Sequence, residues 1–98
     1  MLFALICKDR AGCLQVRLDT RPEHVAFLEG LNGEKKLAFA GPFLDADGKP
    51  NGSLVVVEAP ELAAAEALSA ADPYAKAGLF ESVEIRQWNW TLNKPASA

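Results

Sequence analysis

The apolar residues of this chain fall into short unbroken runs and one periodic stripe, and their order sketches a fold. Leu2-Phe3-Ala4-Leu5-Ile6-Cys7 is short and continuously apolar, as expected of a strand covered on both faces. From Lys8 to Asp19 charged and small residues, Gly12 among them, break the pattern and predict a surface connection. A helix is expected next. Thr20-Arg21-Pro22-Glu23 has capping-box spacing with Pro22 in the first turn, where a missing N–H costs nothing. His24, Phe27, Leu28 and Leu31 then recur at i, i+3, i+4 and i+7, the stripe of an amphipathic helix, and Asn32-Gly33 supplies its C-terminal stop.

Leu37-Ala38-Phe39-Ala40 reads as a second strand that Gly41-Pro42 interrupts. Asp45, Asp47-Gly48, Pro50 and Asn51-Gly52 are dense turn signals, predicting a long hairpin loop from Phe43 to Gly52 that could close over a site. Ser53 opens a β-branched strand, Leu54-Val55-Val56-Val57, again without polar alternation. Pro60 fits a helix start, the alanine-rich segment Glu61 to Ala71 favours helix, and Asp72-Pro73 ends it. A last strand is expected from about Phe80 to Leu92, followed by a frayed tail, Asn93 to Ala98. No repeat or linker divides residues 1–92, which read as one domain.

The order strand, helix, strand, strand, helix, strand predicts an α+β fold of the split βαβ or ferredoxin-like kind (βαββαβ). In it a four-stranded antiparallel sheet carries both helices on one face. Within the last strand Val83 and Ile85 point one way while Trp88, Trp90 and Leu92 point the other, so period-two geometry puts apolar bulk on both sheet surfaces. The face without helices therefore needs a cover. A second copy of the chain is the economical one, because two-fold homodimers are the commonest oligomers and large bare apolar patches are rare on monomers.

Composition narrows the function classes. At 98 residues, half of them apolar, the chain suits one small domain that gains from a partner subunit. Ten basic against thirteen acidic residues give a net charge of −3 with no Lys/Arg run, so nucleic acid is excluded as an expected partner. Cys7 and Cys13 have neither CxxC spacing nor a companion histidine and read as reduced and structural. The N-terminal apolar run lacks a basic region before it and meets Lys8-Asp9-Arg10 within a few residues. It is thus expected to be neither signal nor membrane span, which points to a cytoplasmic protein. One histidine, scattered carboxylates and no glycine-rich phosphate loop imply no metal and no cofactor.

That single histidine, His24, occupies a position in the helical stripe where a hydrophobe would serve better. Imidazole is the one side chain that ordinarily trades protons near neutrality. Either a buried partner satisfies it, or it does chemistry.

Arg17, then Arg21-Pro22-Glu23-His24, Gly41-Pro42 after the second strand, Gly52-Ser53 opening the third, and Asp72-Pro73-Tyr74 with Ala77-Gly78 before the last strand together resemble the YciI-like (YCII-related) family. The resemblance spans roughly residues 1 to 90, and the Arg-Pro-x-His and Asp-Pro-Tyr signatures are specific in combination. It implies a ferredoxin-like protein of the dimeric α/β-barrel type with a histidine and an aspartate, here His24 and Asp72, as an active-site pair. It also associates some members with lyase-type removal of HCl from chlorinated hydroxyaromatics. Val25 after the histidine and the two terminal tryptophans depart from the family pattern.

The pair is chemically sensible. At a helix N-terminus the backbone dipole, aided by apolar neighbours, opposes imidazolium formation and yields a neutral base. Asp72 within hydrogen-bond reach would fix the ring tautomer and favour the protonated form. The alternatives are structural: His24 as a satisfied core residue, and Asp72 as the N-cap of a short turn with proline at its first position. Arg17 and Arg21 are candidates to clamp a carboxylate or phenolate, Ser53 to donate a hydrogen bond, and Tyr74 to line the pocket. The expected function is a cofactor-free lyase or isomerase acting on a small anionic or phenolic substrate, with dehydrochlorination as the reaction the family resemblance implies. Its alternative is a non-catalytic small-molecule binding module or structural dimer.

Overall fold

The continuously apolar runs take the centre of a sheet. In the computed structural model, which describes residues 1–96, the elements are β1 (Leu2–Asp9), α1 (Leu14–Gly33), β2 (Leu37–Leu44), β3 (Pro50–Glu58), α2 (Leu62–Ala71), α3 (Pro73–Lys76) and β4 (Phe80–Trp88). The strands pair antiparallel in the order β2-β3-β1-β4, giving the ferredoxin-like arrangement. Phe3, Leu5 and Cys7 on β1 and Val55 and Val57 on β3 share one face and meet Leu31 of α1 and Ala65 of α2 in the core. The helices lie on that face. Among the described residues no helix is long and apolar enough to cross a membrane.

Several boundaries differ from expectation, each for a physical reason. β1 continues through Lys8 to Asp9, because Asp9 falls on the core face and is buried against Arg17. The expected surface connection from Lys8 to Asp19 therefore shrinks, and α1 begins at Leu14 rather than at Thr20. Pro22 sits inside α1 instead of in its first turn. It and Leu18, whose carbonyl loses its donor, both lie on the exposed side of the helix, where water can take up the free carbonyl. At the other end Gly33 is still helical, and Lys35 takes the left-handed conformation (φ 60°) that terminates the helix.

β2 is not interrupted by Gly41-Pro42 but runs on to Leu44, with Pro42 opposite Ser53. An edge strand tolerates this, since one side needs no N–H donor. The long loop expected over 43–52 is a tight hairpin turn. The Asp45 carboxylate accepts from the Asp47 and Lys49 amides at 2.9 and 3.0 Å, and Gly48 adopts φ 79°. β4 ends at Trp88, short of Leu92. Trp90 leaves the strand and packs edge-on against Phe39 of β2, ring centroids 5.1 Å apart. Of the expected tail, Ser97 and Ala98 lie outside the described residues.

The face away from the helices is partly roofed by the chain itself. Ala4 and Val56, which point to that side by register, are nonetheless 8% and 1% exposed. Phe39 from one edge strand and Trp88 from the other meet there at 5.5 Å, with rings nearly perpendicular. That geometry suits aromatic quadrupoles.

Gly52 marks the closest strand approach. A Cβ built there would lie 2.6 Å from the Cys7 carbonyl oxygen and 3.2 Å from the Phe43 ring. Gly52→Ala should lower stability by about 1–3 kcal/mol in urea denaturation, whereas Gly41→Ala, with nothing within 4 Å, should stay within about 0.5 kcal/mol of the parent.

Candidate functional site

The site forms where the first half of α1 crosses the hairpin end of β2 and β3, with α3 behind it. The stripe positions of α1 turn Arg17, Arg21 and His24 toward the sheet, and β3 presents Ser53 across from them. Between them lies a cavity of about 260 Å³ lined by these residues, Pro42 and Tyr74 among others. That is just below the usual range for small-molecule sites.

His24 and Asp72, 48 positions apart in sequence, are brought to 2.8 Å between Nδ1 and Oδ1. An ionised carboxylate only accepts hydrogen bonds, so Nδ1 carries the hydrogen and Nε2 holds the lone pair. Nε2 has no protein partner, and no buried side-chain polar atom among the described residues lacks one, so Nε2 is open to the cavity. Asp72 stands behind the ring. The same Oδ1 also accepts from the Tyr74 amide at 2.9 Å, capping α3. The capping role and the histidine-orienting role thus coexist in one oxygen. His24 lies ten residues beyond Leu14, not in the first helical turn, so the N-terminal dipole, which fades within a turn, does not reach it.

Tyr74 is buried and stacks on the imidazole, centroids 3.9 Å apart and planes 16° from parallel. The Arg17 guanidinium lies against the same phenol ring, Cζ 4.7 Å from its centroid. Arg17, only 4% exposed, donates from Nε and Nη2 to both Asp9 oxygens at 2.7 and 2.9 Å, and from Nη2 to Ser53 Oγ at 2.9 Å. Burial works against its charge, but the hydrogen bond and charge of Asp9 outweigh that and hold its pKa above the usual arginine value. Burial likewise pushes the Tyr74 phenol up, opposed by the Arg17 and Arg21 cations.

All six residues singled out from sequence thus meet around one cavity, in different positions. His24, Arg17, Arg21, Ser53 and Tyr74 line it, while Asp72 supports the imidazole from behind. Arg17 is committed to Asp9 and Ser53. Arg21 is exposed, and among the described residues no carboxylate pairs with it, leaving its guanidinium available to a ligand. Sequence reasoning missed Asp9. The signal was present, because period two from Phe3, Leu5 and Cys7 puts position 9 on the core face, where a carboxylate needs a buried cation.

Residues 1–89 match the family model of the YCII-related domain. Protein YciI of Escherichia coli O6:H1 is 38% identical over 92 residues, covering 88% of this chain and 94% of the relative. Among solved structures, the 5-chloro-2-hydroxyhydroquinone dehydrochlorinase TftG from Burkholderia phenoliruptrix AC1100, in complex with 2,5-dihydroxybenzoquinone, superposes with a TM-score of 0.85 at 35% identity, covering 97% of this chain and 100% of that one. A NIPSNAP-family protein from Agrobacterium tumefaciens shares the fold at 23% identity and a TM-score of 0.56, covering 97% and 96%.

Cys7 lies under this site, and its thiol is pushed up from 9.0 to about 12, chiefly by burial and then by the Asp72 charge. Because the folded value is raised, the neutral thiol's contribution to stability is complete below pH 9.0 and is lost as pH climbs toward about 12. Urea denaturation above pH 9 should show this loss, up to about 1.4 kcal/mol per pH unit from this group. Cys7→Ala should be less stable at pH 7 yet show a shallower alkaline decline.

Proposed function

The chain belongs to the YCII-related domain family, and from that premise we propose that it is a cofactor-free acid–base enzyme of the lyase or isomerase type, acting on a small hydroxylated aromatic. The observation that carries this reading is the Nδ1–Asp72 hydrogen bond at 2.8 Å, which leaves Nε2 as a base facing the cavity. The name of the TftG relative, a dehydrochlorinase of a chlorinated hydroxyhydroquinone, supports the substrate class.

His24 would take a proton at Nε2 from one ring hydroxyl and return it to the ring carbon that bears chlorine. That carbon becomes tetrahedral and the oxygen becomes a carbonyl. Loss of a second hydroxyl proton to Nε2 then forms another carbonyl as the carbon–chlorine bond breaks with its electron pair, for net release of HCl. Without a leaving group, the first half of the sequence is an isomerisation. Asp72 stabilises the imidazolium that forms at each transfer, as carboxylates do in such pairs. Arg21 would hold the developing phenolate. Ser53 accepts from Arg17, so its own proton is free to donate to a second substrate oxygen, while Arg17 and the Tyr74 ring form the wall beside it.

The reading includes a homodimer. Ile6, Leu54 and Phe43, at the hairpin end of the bare sheet face, lie beyond the aromatic roof and are half-buried or exposed. A second copy would cover them. Sedimentation at micromolar concentration should give twice the mass of the chain, and a monomer there would remove this part of the reading.

Chloride release from 5-chloro-2-hydroxyhydroquinone is the direct assay. His24→Gln should lower kcat/KM by roughly 10²–10⁴-fold. Asp72→Asn, which keeps a competent cap, should lower kcat with the fold intact, and Arg21→Ala should act mainly on KM. If the parent turns over no hydroxyaromatic while His24→Gln still binds one as tightly, the protein is a binding module and not an enzyme.

A further inference from the structure

The two tryptophans play no part in the His24 site. Trp88, Trp90 and Phe39 form a mutual cluster with centroids 5.1 to 5.5 Å apart. Beneath the segment that carries the indoles is a cavity of about 890 Å³ at the far end of the sheet. It reaches Glu58 and Leu2, paired across β3 and β1, whereas the His24 cavity reaches Ser53, whose β1 partner is Cys7. The cavities share no lining residue, and their nearest lining positions, Ala38 and Ala40, are two residues apart on β2.

We propose that this cavity is a second ligand site, for a small planar aromatic carboxylate. Two indole rings offer flat apolar surface to a ring. The charged lining is basic although the chain is net acidic: Lys35, Lys94 and the Met1 ammonium face a single carboxylate, Glu58. Glu58 is taken up by the Met1 ammonium at 2.7 Å, and no carboxylate among the described residues pairs with Lys35 or Lys94. Two lysines without a carboxylate partner among the described residues, sharing a lining with two indoles, complement a carboxylate on an aromatic ring and repel an amine.

The backbone at Lys35 adds an independent observation. The Lys36 amide donates to the Leu31 carbonyl at 2.8 Å and the Lys35 amide to that of Asn32 at 3.0 Å, the closing pattern that ordinarily has glycine at this position. A lysine held at φ 60° there is a local cost to the fold. It is explained if its ammonium is needed at the cavity. Asn93, at φ 64°, turns the segment that brings Lys94 and Pro95 to the same wall.

Trp88 and Trp90 are the only tryptophans in the chain, so intrinsic indole fluorescence reports on this site alone. Titration with phenylacetate and benzoate should give a saturable change. Benzyl alcohol should bind about tenfold or more weakly, for want of a charge-assisted hydrogen bond, and benzylamine should give none. Lys35→Gly and Lys94→Gln should each weaken phenylacetate binding several-fold, with Lys35→Gly no lower in thermal midpoint, so a folding defect is separated from a lost contact. His24→Gln should bind phenylacetate as the parent does, which makes the test independent of the catalytic reading. An equal response to benzylamine, an absence of saturation, or indole emission that depends on protein concentration and is blind to phenylacetate, as when a second copy fills the cavity, overturns the proposal.

Discussion

A buried guanidinium organises this molecule. Removing a charge from water costs several kcal/mol unless it is paired and fully hydrogen-bonded, and Arg17 meets that demand with two bonds to Asp9 and one to Ser53. Those partners come from β1 and β3, so a helix is bound to two neighbouring strands through one side chain. The demand explains why β1 runs past its apolar stretch, why its pairing with β4 shifts register between Lys8 and Asp9, and why α1 starts early enough to include residue 17. The flat face of the same cation stabilises the Tyr74 ring. Tyr74 in turn stacks on His24, and the electrostatic core is thus continuous with the candidate chemistry.

What the sequence reveals follows from which interactions are local. Strand identity and the ferredoxin-like order were legible because unbroken apolar runs and a 3.6-residue stripe are one-dimensional signals. The start of α1 was not, because Leu14 to Asp19 carries no clean stripe and its reason to be helical, Arg17 reaching Asp9, is tertiary. Pro22 and Gly41-Pro42 misled for a related reason. Breaker residues interrupt an element only where their missing donor is needed, and here one faces solvent while the other lies on a sheet edge. His24 and Asp72 could be nominated from their motifs, whereas their convergence depends on α3 folding back behind α1, which no spacing encodes.

The bare sheet face shows the same division. Alternation along β4 separates Trp88 from Val83 and Ile85, and the structure puts Trp88 on the side away from the helices; the strand stops at Trp88, however, and Trp90 crosses toward β2. Part of the cover expected from a second subunit is therefore intramolecular. Ala4 and Val56 are buried on the face where Phe39 and Trp88 meet, and the apolar surface still exposed there is shifted toward the hairpin.

The double duty of one Asp72 oxygen has a dynamic consequence. The Tyr74 amide and the imidazole share a single acceptor, and the first turn of α3 is too short to persist without its cap. Fraying of that turn and release of the histidine ring are then the same excursion: the ring loses its orienting carboxylate and its stacking phenol together. A four-residue helix thereby becomes the latch of the candidate site, and the exchange rate of one backbone proton, that of Tyr74, measures how often the His24–Asp72 geometry comes undone.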